Sequence, residues 1–459
     1  MSGIAASGPG TGYEQGSIFG QHHPNHQLVT VPTGTSDVIG HDMRIQQHIL
    51  ETIQRVYERF GFMPQDTPII ENDVVFKGHH GEGESLIFRL NDKGDLPLVL
   101  RYDQTVPLAR VFATHPELPR PYSRYQIGPV FRDDVDDGRH FRQFIQCDGD
   151  IVGCSSLLAD ADILMLAYAG LEELGFPNFT IRINHRKIFQ GIASLHGITE
   201  KEKVVAIQRA LDRADKCTCD GAEGIKRELS EFDIGEEVAD TLFNISALSG
   251  KPLPWVLGQL EAMLGNQRLA MEGIRDLKEI MSYLPEQMAN KIAIDMSLAR
   301  GADYYTGFIL EGVVDGIPIG AVLGGGRYDN LLAAFGRPSE PAVGMAFGYE
   351  RIILAMKQLG MLDSMAMDRH KVLVSCSDRQ HLPGLAKLAQ ALRSQSLEVV
   401  TAYEVLDDGG LSRMAAEQHC PVIVHLNGGT EVRTLPGFEN SELYNKAITA
   451  LNGGNIVAA

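Results

Sequence analysis

The sequence predicts an α+β protein: an antiparallel β-hairpin packed with helices, a helical insertion, and a small C-terminal α/β domain. Three stretches carry that expectation. Tyr122 to Gly153, YSRYQIGPVFRDDVDDGRHFRQFIQCDGDIVG, reads as strand, loop, strand. Apolar residues fall close to alternate positions over Tyr125–Phe131 and Phe141–Gly153, and a polar tip with Gly138 separates the arms. From about His185 to Pro285 the periods are mostly helical, charge is dense, and no chemistry-bearing motif occurs. From Lys371 onward, the strand KVLVS, the helical stripe Leu382, Leu385, Leu388 and Leu392, the strand LEVVTAY, the helix Leu411–Glu417 and the strand PVIVHL follow in turn. A β-α-β-α-β order implies a small parallel sheet.

The remaining elements follow in chain order. PTGTSD at Pro32 to Asp37 is a turn cluster that offers Asp37 as a helix cap. Ile45, Ile49, Ile53, Val56 and Phe60 then recur at spacings of four, four, three and four, one apolar stripe that Gly61 ends. FMPQDTPIIEN is a strand interrupted by Pro64 and Pro68, so it belongs at an edge or bulge, because Pro cannot donate to a ladder. The adjacent His79 and His80 cannot both face one metal from a strand and read as a loop pair. LVLRYD is a strand ending in Arg101, Tyr102 and Asp103; the helix after it takes Thr105 as N-cap, with Pro107 in its first turn. Leu157 to Leu174 is an amphipathic helix, and FTIRINHRKIF is a strand leading into another. Lys291 to Leu298 is a strand, GFILEGVVDGIPIGAVLGGGRYDNLL is a strand pair followed by a glycine run, and Ala346 to Met356 passes from strand to helix with Arg351 on the helix.

Composition bounds the function. A chain of 459 residues, 44% hydrophobic, holds about two or three domains. No run of apolar residues is long enough for a membrane span, so no membrane partner is expected. Residues 1–25 are rich in Gly, Ser and His and lack an apolar stretch, which fits a flexible tail rather than a signal peptide. The six Cys form no CxxC pair; scattered reduced thiols, no metal site and a cytoplasmic location are expected. A net charge of −18 argues against indiscriminate nucleic-acid binding, although a local basic groove remains compatible with it.

The hairpin carries the chemistry. Arg132, Arg139 and Arg142 project from it, followed by Gln146 and Asp150. Three guanidiniums beside two acceptors suit a ligand with both phosphate and amine character, since the planar fork of Arg donates two hydrogen bonds at once. The same spacing also suits a solvated hairpin. Three consecutive Gly at Gly324–Gly326 allow close backbone approach to a ligand, and no GKS/T follows, so a P-loop is excluded.

FRxxxxxGRxxRQFxQxDxDxxG resembles motif 2 of the class II aminoacyl-tRNA synthetases, in the form found in the histidyl-tRNA synthetases. LRYDQTVPLAR (Leu100–Arg110), similar to the form in eukaryotic-type members, LARGADYYTG (Leu298–Gly307), GGGRYDNL (Gly324–Leu331) and GMAFGYER (Gly344–Arg351) resemble further pieces of that family, in its order. The resemblance covers roughly residues 30–360. It implies a class II synthetase-type antiparallel sheet flanked by helices, with a catalytic core over 26–185 and 286–365, an insertion over 186–285, and an anticodon-binding-like domain over 370–459. The long helix and Pro-bearing strand resemble motif 1, which implies a homodimer.

The implied activity is histidine activation by ATP, with Mg²⁺ on the phosphates, and transfer to tRNA(His). Residue by residue, Arg132 would hold the α-phosphate and the amino-acid carboxylate, Arg300 the α-phosphate, and Arg351 the γ-phosphate. These three are the implied catalytic set. Asp134 and Arg139 would line the ATP site and Phe144 would stack on adenine; a buried strand aromatic is an equally good description of Phe144. Asp103, Thr105 and Gln146 would hold the α-amino group. Asp150 and Tyr305 would bracket the imidazole, and Tyr304 and Arg300 would complete the histidine site.

Two departures from the family stand out. The hairpin tip carries Asp133, Asp134, Asp136 and Asp137, which beside a phosphodiester backbone weaken binding unless paired. Beyond its third strand the C-terminal region, HLNGGTEVRTLPGFENSELYNKA, replaces the expected further strands. The alternative to a ligase is therefore a paralogue without tRNA charging. It would be a regulatory subunit of the ATP phosphoribosyltransferase type, or an enzyme activating an amino acid for another acceptor.

Overall fold

The computed structural model describes residues 30–78, 81–134, 141–214, 221–298, 305–337, 340–364, 371–435 and 441–453. The N-terminal tail, His79, His80, Asp136, Asp137, Arg139, Cys217, Cys219, Arg300 and Tyr304 lie outside the described residues.

Helix α1 (Gly40–Arg59) turns Ile45, Ile49, Ile53, Val56 and Tyr57 inward, and Gly61, at φ +77°, ends it as expected. Asp37 does not cap it: the N-cap is Ile39, with no side-chain hydrogen bond. Strand β1 (Met63–Pro64) is a sheet edge, where the missing amide of Pro64 is tolerated. Strands β2 (Ile70–Asn72), β3 (Arg89–Asn91) and β4 (Pro97–Leu100) form a separate antiparallel sheet in the order β2-β4-β3, with the short helix α2 (Asp73–Phe76) following β2. Helix α3 (Thr105–Thr114) leads into β5 (Tyr122–Phe131) and β6 (Gln143–Val152), the expected hairpin arms, paired antiparallel along their whole length. Helix α4 (Leu157–Glu173) is capped by Ser156.

Strand β7 (Phe179–His185) is followed by the helical insertion: α5 (Arg186–Leu195), α6 (Lys201–Ala214), α7 (Gly221–Ser230), α8 (Glu236–Ser246), α9 (Leu253–Leu264) and α10 (Arg268–Ser282). The chain re-enters the sheet at β8 (Ile292–Ile294), shorter than the Lys291–Leu298 strand expected, and continues through β9 (Phe308–Val314), β10 (Ala321–Arg327) and β11 (Ala342–Gly348) to α11 (Tyr349–Gln358) and α12 (Met361–Ser364).

The principal sheet has eight strands in the order β1-β5-β6-β11-β10-β9-β7-β8, antiparallel inside and parallel at its two edge pairs. The two parts of the core interleave, because β6 pairs with β11 and β7 with β9. One face is covered by α1 and α4. There Tyr57 stacks on Tyr125 with centroids 5.4 Å apart and donates to the carbonyl of Cys147 at 2.6 Å. Glycine is required where this packing is closest: a Cβ on Gly149 would lie 2.3 Å from the Tyr57 ring. Arg327 of β10 reaches α4 and forms a buried ion pair with Asp160.

The C-terminal region holds β12 (Lys371–Cys376), α13 (Leu382–Arg393), β13 (Glu398–Thr401), α14 (Asp408–Glu417), β14 (Val422–Leu426), β15 (Thr430–Thr434) and α15 (Glu442–Gly453). The parallel strands are those expected, but a fourth strand was not. TEVRT, read as a departure from the family, pairs antiparallel with β14 in the order β13-β12-β14-β15. This region meets α1 through Arg44–Glu398, 2.8 Å apart, and through stacked His41 and His419.

Removing one partner of a buried ion pair strands the other. Asp160→Ala is therefore expected to destabilise the fold by about 3–5 kcal/mol, read as a lowered urea midpoint. An unchanged midpoint would show that water reaches Arg327.

Candidate active site

On β6 the two-residue period of a strand sends Cys147, Gly149 and Ile151 toward α1, and Gln146, Asp148 and Asp150 to the opposite face. Their partners on β11 are Gly348, Ala346 and Gly344, and Gly324 of β10 stands opposite Ala346. This lane carries nothing larger than a methyl, so a trough opens over the centre of the sheet. Walled by side chains from four separated stretches, it encloses a cavity of about 480 Å³.

Of the described residues expected at the site, Asp134 among them, all but Arg142 line this cavity. Tyr102, Asp103 and Thr105 come from the segment entering α3, Arg132, Phe144, Gln146 and Asp150 from the hairpin, Tyr305 from the segment before β9, and Arg351 from α11. The guanidinium of Arg132 is held between the rings of Tyr102 and Phe144, 4.3 and 4.9 Å from their centroids, and its Nε has no hydrogen-bond partner. The Oε1 of Gln146 is likewise buried without a partner. Arg351 donates to the carbonyl of Ala321 at 3.0 Å.

Three expectations are corrected. Thr105 does not cap α3; it is the first helical residue, Gln104 holds the N-cap position, and the side chain that satisfies the helix start is that of Asp103, its Oδ1 accepting from the amide of Val106 at 3.0 Å. Of the three consecutive glycines, only Gly324 faces the cavity; a Cβ on Gly325 would lie 2.2 Å from the carbonyl of Gly344, and one on Gly326 2.5 Å from that of Phe308. Those two serve strand packing, and the run lies inside β10 rather than after the strand pair. Arg142 does not join the cavity lining; it pairs with Asp133 and lies over the ring of Phe88.

Four contributors were not expected. Arg124, directly across β5 from Asp150, is fully buried and pairs with it at 2.6 Å. Tyr328 donates to the other oxygen of Asp150. A Cβ on Gly344 would lie 1.9 Å from that oxygen, so glycine is what lets the carboxylate sit there. Asp148 is the third, and the alternation that marks Gln146 and Asp150 already placed it on their face. Glu350, at the start of α11, accepts from the amide of Ile145 at 2.8 Å.

The electrostatics follow from burial. It raises the Asp150 carboxyl, against the pull of Arg124 and Tyr328. It raises Asp148 well above the carboxylate range, opposed by Arg124 and reinforced by Asp150 and Asp103. It pushes Glu350 up to about 7, despite the two backbone amides that favour its charged form. Among the described residues no group of three or more His, Cys, Asp or Glu is arranged to hold a metal ion, and no helix is long and apolar enough to cross a membrane.

A family model described as histidyl-tRNA synthetase matches residues 34–352. The histidine–tRNA ligase of Christiangramia forsetii is 32% identical over 459 aligned residues, covering 93% of this chain and 99% of that protein. That of Aeropyrum pernix is 37% identical over 375 residues, covering 80% and 83%. The crystal structure of histidyl-tRNA synthetase from Nostoc sp. PCC 7120 superposes with a TM-score of 0.79 at 27% identity, over 92% of this chain and 99% of that one.

Glu350 supplies a pH test. Its carboxyl titrates near 4.5 when unfolded and about 7 when folded, so the contribution it makes to stability is greatest below pH 4.5 and is lost as pH rises through about 7. Glu350→Gln is therefore expected to gain stability relative to the wild type between those values, with a constant difference above them. Parallel urea midpoints across the range would contradict the assignment.

Proposed function

The chain belongs to the histidyl-tRNA synthetase family, and from that membership we propose that it is a histidine–tRNA ligase, activating L-histidine with ATP and transferring it to tRNA(His). The observation that carries the reading is the convergence of Asp103, Arg132, Gln146, Asp150, Tyr305 and Arg351, from stretches far apart in sequence, on one cavity.

In the first step a carboxylate oxygen of histidine attacks the α-phosphorus of ATP. The bond to the bridging oxygen breaks and pyrophosphate leaves. The carboxylate is already a nucleophile, so no general base is needed. What the site must supply is fixed positive charge around the phosphorus, where the transition state gains negative charge. Arg132 is suited to this: the rings of Tyr102 and Phe144 hold its guanidinium and leave its Nε free to donate. We assign it the α-phosphate and the substrate carboxylate, Arg351 the γ-phosphate, Asp134 and Arg139 the ATP site, and Arg300 the α-phosphate. Phe144 presents a ring to adenine. Asp103, Thr105 and Gln146 hold the α-amino group. Asp150 and Tyr305 take the two imidazole nitrogens, one a donor and the other an acceptor, with Tyr304 and Arg300 beside them. In the second step a terminal ribose hydroxyl of the tRNA attacks the acyl carbon and AMP leaves.

Mg²⁺ takes only one or two carboxylates when phosphates supply its other ligands. The cavity fits that demand: Glu311 and Glu350 are the carboxylates on its β9–α11 side that would hold the ion, which would supply positive charge to the phosphates. A cytoplasmic location accords with tRNA charging. At the hairpin tip Asp133 is paired with Arg142, which lessens the repulsion expected there toward a phosphodiester backbone. The paralogue alternative gains no support from the relatives described above, which are ligases matched over most of their length.

We also propose a homodimer. Met63, Ile69, Ile70, Val74 and Leu96, on and around the first four strands, are 42–75% exposed, and exposed apolar side chains of this kind suit an interaction surface.

Histidine-dependent exchange of pyrophosphate into ATP tests activation, and charging of a tRNA(His) transcript tests transfer. Arg351→Ala is expected to slow exchange by about 10²–10³ through ATP while histidine binding stays unchanged; equal loss of both would refute its role. Ile70→Asp is expected to shift the protein toward the monomer in light scattering, and a wild type that is itself monomeric would remove the dimer.

A further inference from the structure

We infer that Asp148 is a substrate-binding residue whose carboxylate takes the α-ammonium of the bound amino acid. The inference rests on the proposed ligase reading and adds to it a residue outside the motif assignments above. Asp148 sits mid-strand on β6, on the cavity floor between Gln146 and Asp150, and is 3% exposed. Its Oδ1 has no hydrogen-bond partner. Neither does Oε1 of Gln146, the next residue on the same face, nor Oε1 of Gln126 directly across β5, whose amide nitrogen is committed to Thr67 at 3.0 Å. On the other flank stands Ala346, whose methyl leaves room above the carboxylate.

Buried polar atoms without partners are costly and rare; Nε and Nη1 of Arg124 are also unpartnered here, and the unpartnered oxygens call for a ligand that brings donors. An ammonium brings three N–H groups and no acceptor. The charges agree. Asp103, Asp148 and Asp150 are all buried, three carboxyls beside two guanidiniums: Arg124, which pairs with Asp150 at 2.6 Å, and Arg132, which is stacked between two rings; both also act on Asp148. Asp103 spends one oxygen on the cap of α3. Asp148 keeps an oxygen with no donor, and burial raises its carboxyl despite Arg124 and Arg132, so an ammonium beside it favours the charged form. The site thereby senses the amine as a charge, not only as a hydrogen-bonding group, and discriminates against acids that carry the same ring without an amine.

The test is calorimetric titration of the full chain, wild type and Asp148→Asn, with three ligands: histidine, histidinol, which keeps the amine and lacks the carboxylate, and imidazolepropionate, which keeps the carboxylate and lacks the amine. Loss of a charge-assisted hydrogen bond is expected to weaken histidine and histidinol about tenfold to a hundredfold and to change imidazolepropionate by less than about twofold. In pyrophosphate exchange the same variant is expected to raise the KM for histidine, with the KM for ATP near that of the wild type. Equal weakening of all three ligands, or unchanged histidine affinity, would overturn the inference and leave the ligase reading standing. A wild type that binds neither amine would overturn both. Should Asp148→Asn fail to fold, Asp148→Ser provides the same comparison.

Discussion

The site depends on one buried ion pair. Arg124 and Asp150 face each other across β5 and β6, 2.6 Å apart, both almost inaccessible to water. Burying two charges is expensive, and their attraction offsets the cost only when geometry and further hydrogen bonds are good. Here Arg124 also reaches the carbonyl of Gln104, and Tyr328 donates to Asp150. The pair therefore joins three segments, the hairpin, the entry to α3 and the turn after β10. A one-residue slip of register between β5 and β6 would send every cavity side chain on β6 into the core behind it.

A second constraint is subtractive. The pocket exists because β11 and β10 carry Gly344, Ala346, Gly348 and Gly324 where other sheets carry bulk. At Gly344 the reason is the Asp150 carboxylate, with the carbonyl of Gly149 beside it. At Gly325 and Gly326 it is the neighbouring strands. One run of identical residues thus answers two different demands, and only the structure separates them.

Local periodicity was legible in the sequence. The stripe of α1, both hairpin arms and the parallel strands of the C-terminal region were all visible, because each signal lies within one element. What stayed hidden was non-local or degenerate. The pairing of β6 with β11 joins residues nearly two hundred positions apart, and no local pattern encodes it. Asp103 and Thr105 are both good capping residues, so composition could not choose between them. The strand Thr430–Thr434 is polar and lies at an edge, which leaves it little apolar alternation to read. Asp148 differs: strand parity and the motif both place it between Gln146 and Asp150, but neither says that its carboxyl is buried without a donor. Arg124 was hidden because a lone Arg in a strand is usually solvated, and only its register opposite Asp150 shows otherwise.

The helices α5 to α10 leave from β7 and return to β8, which lie side by side and parallel at the edge of the sheet. Exit and re-entry are therefore neighbours, at the end of the sheet beyond β9, the strand that separates β7 from β10. Such a junction works like a graft point. The excursion can lengthen or shrink there without changing the order in which the strands of the sheet are paired.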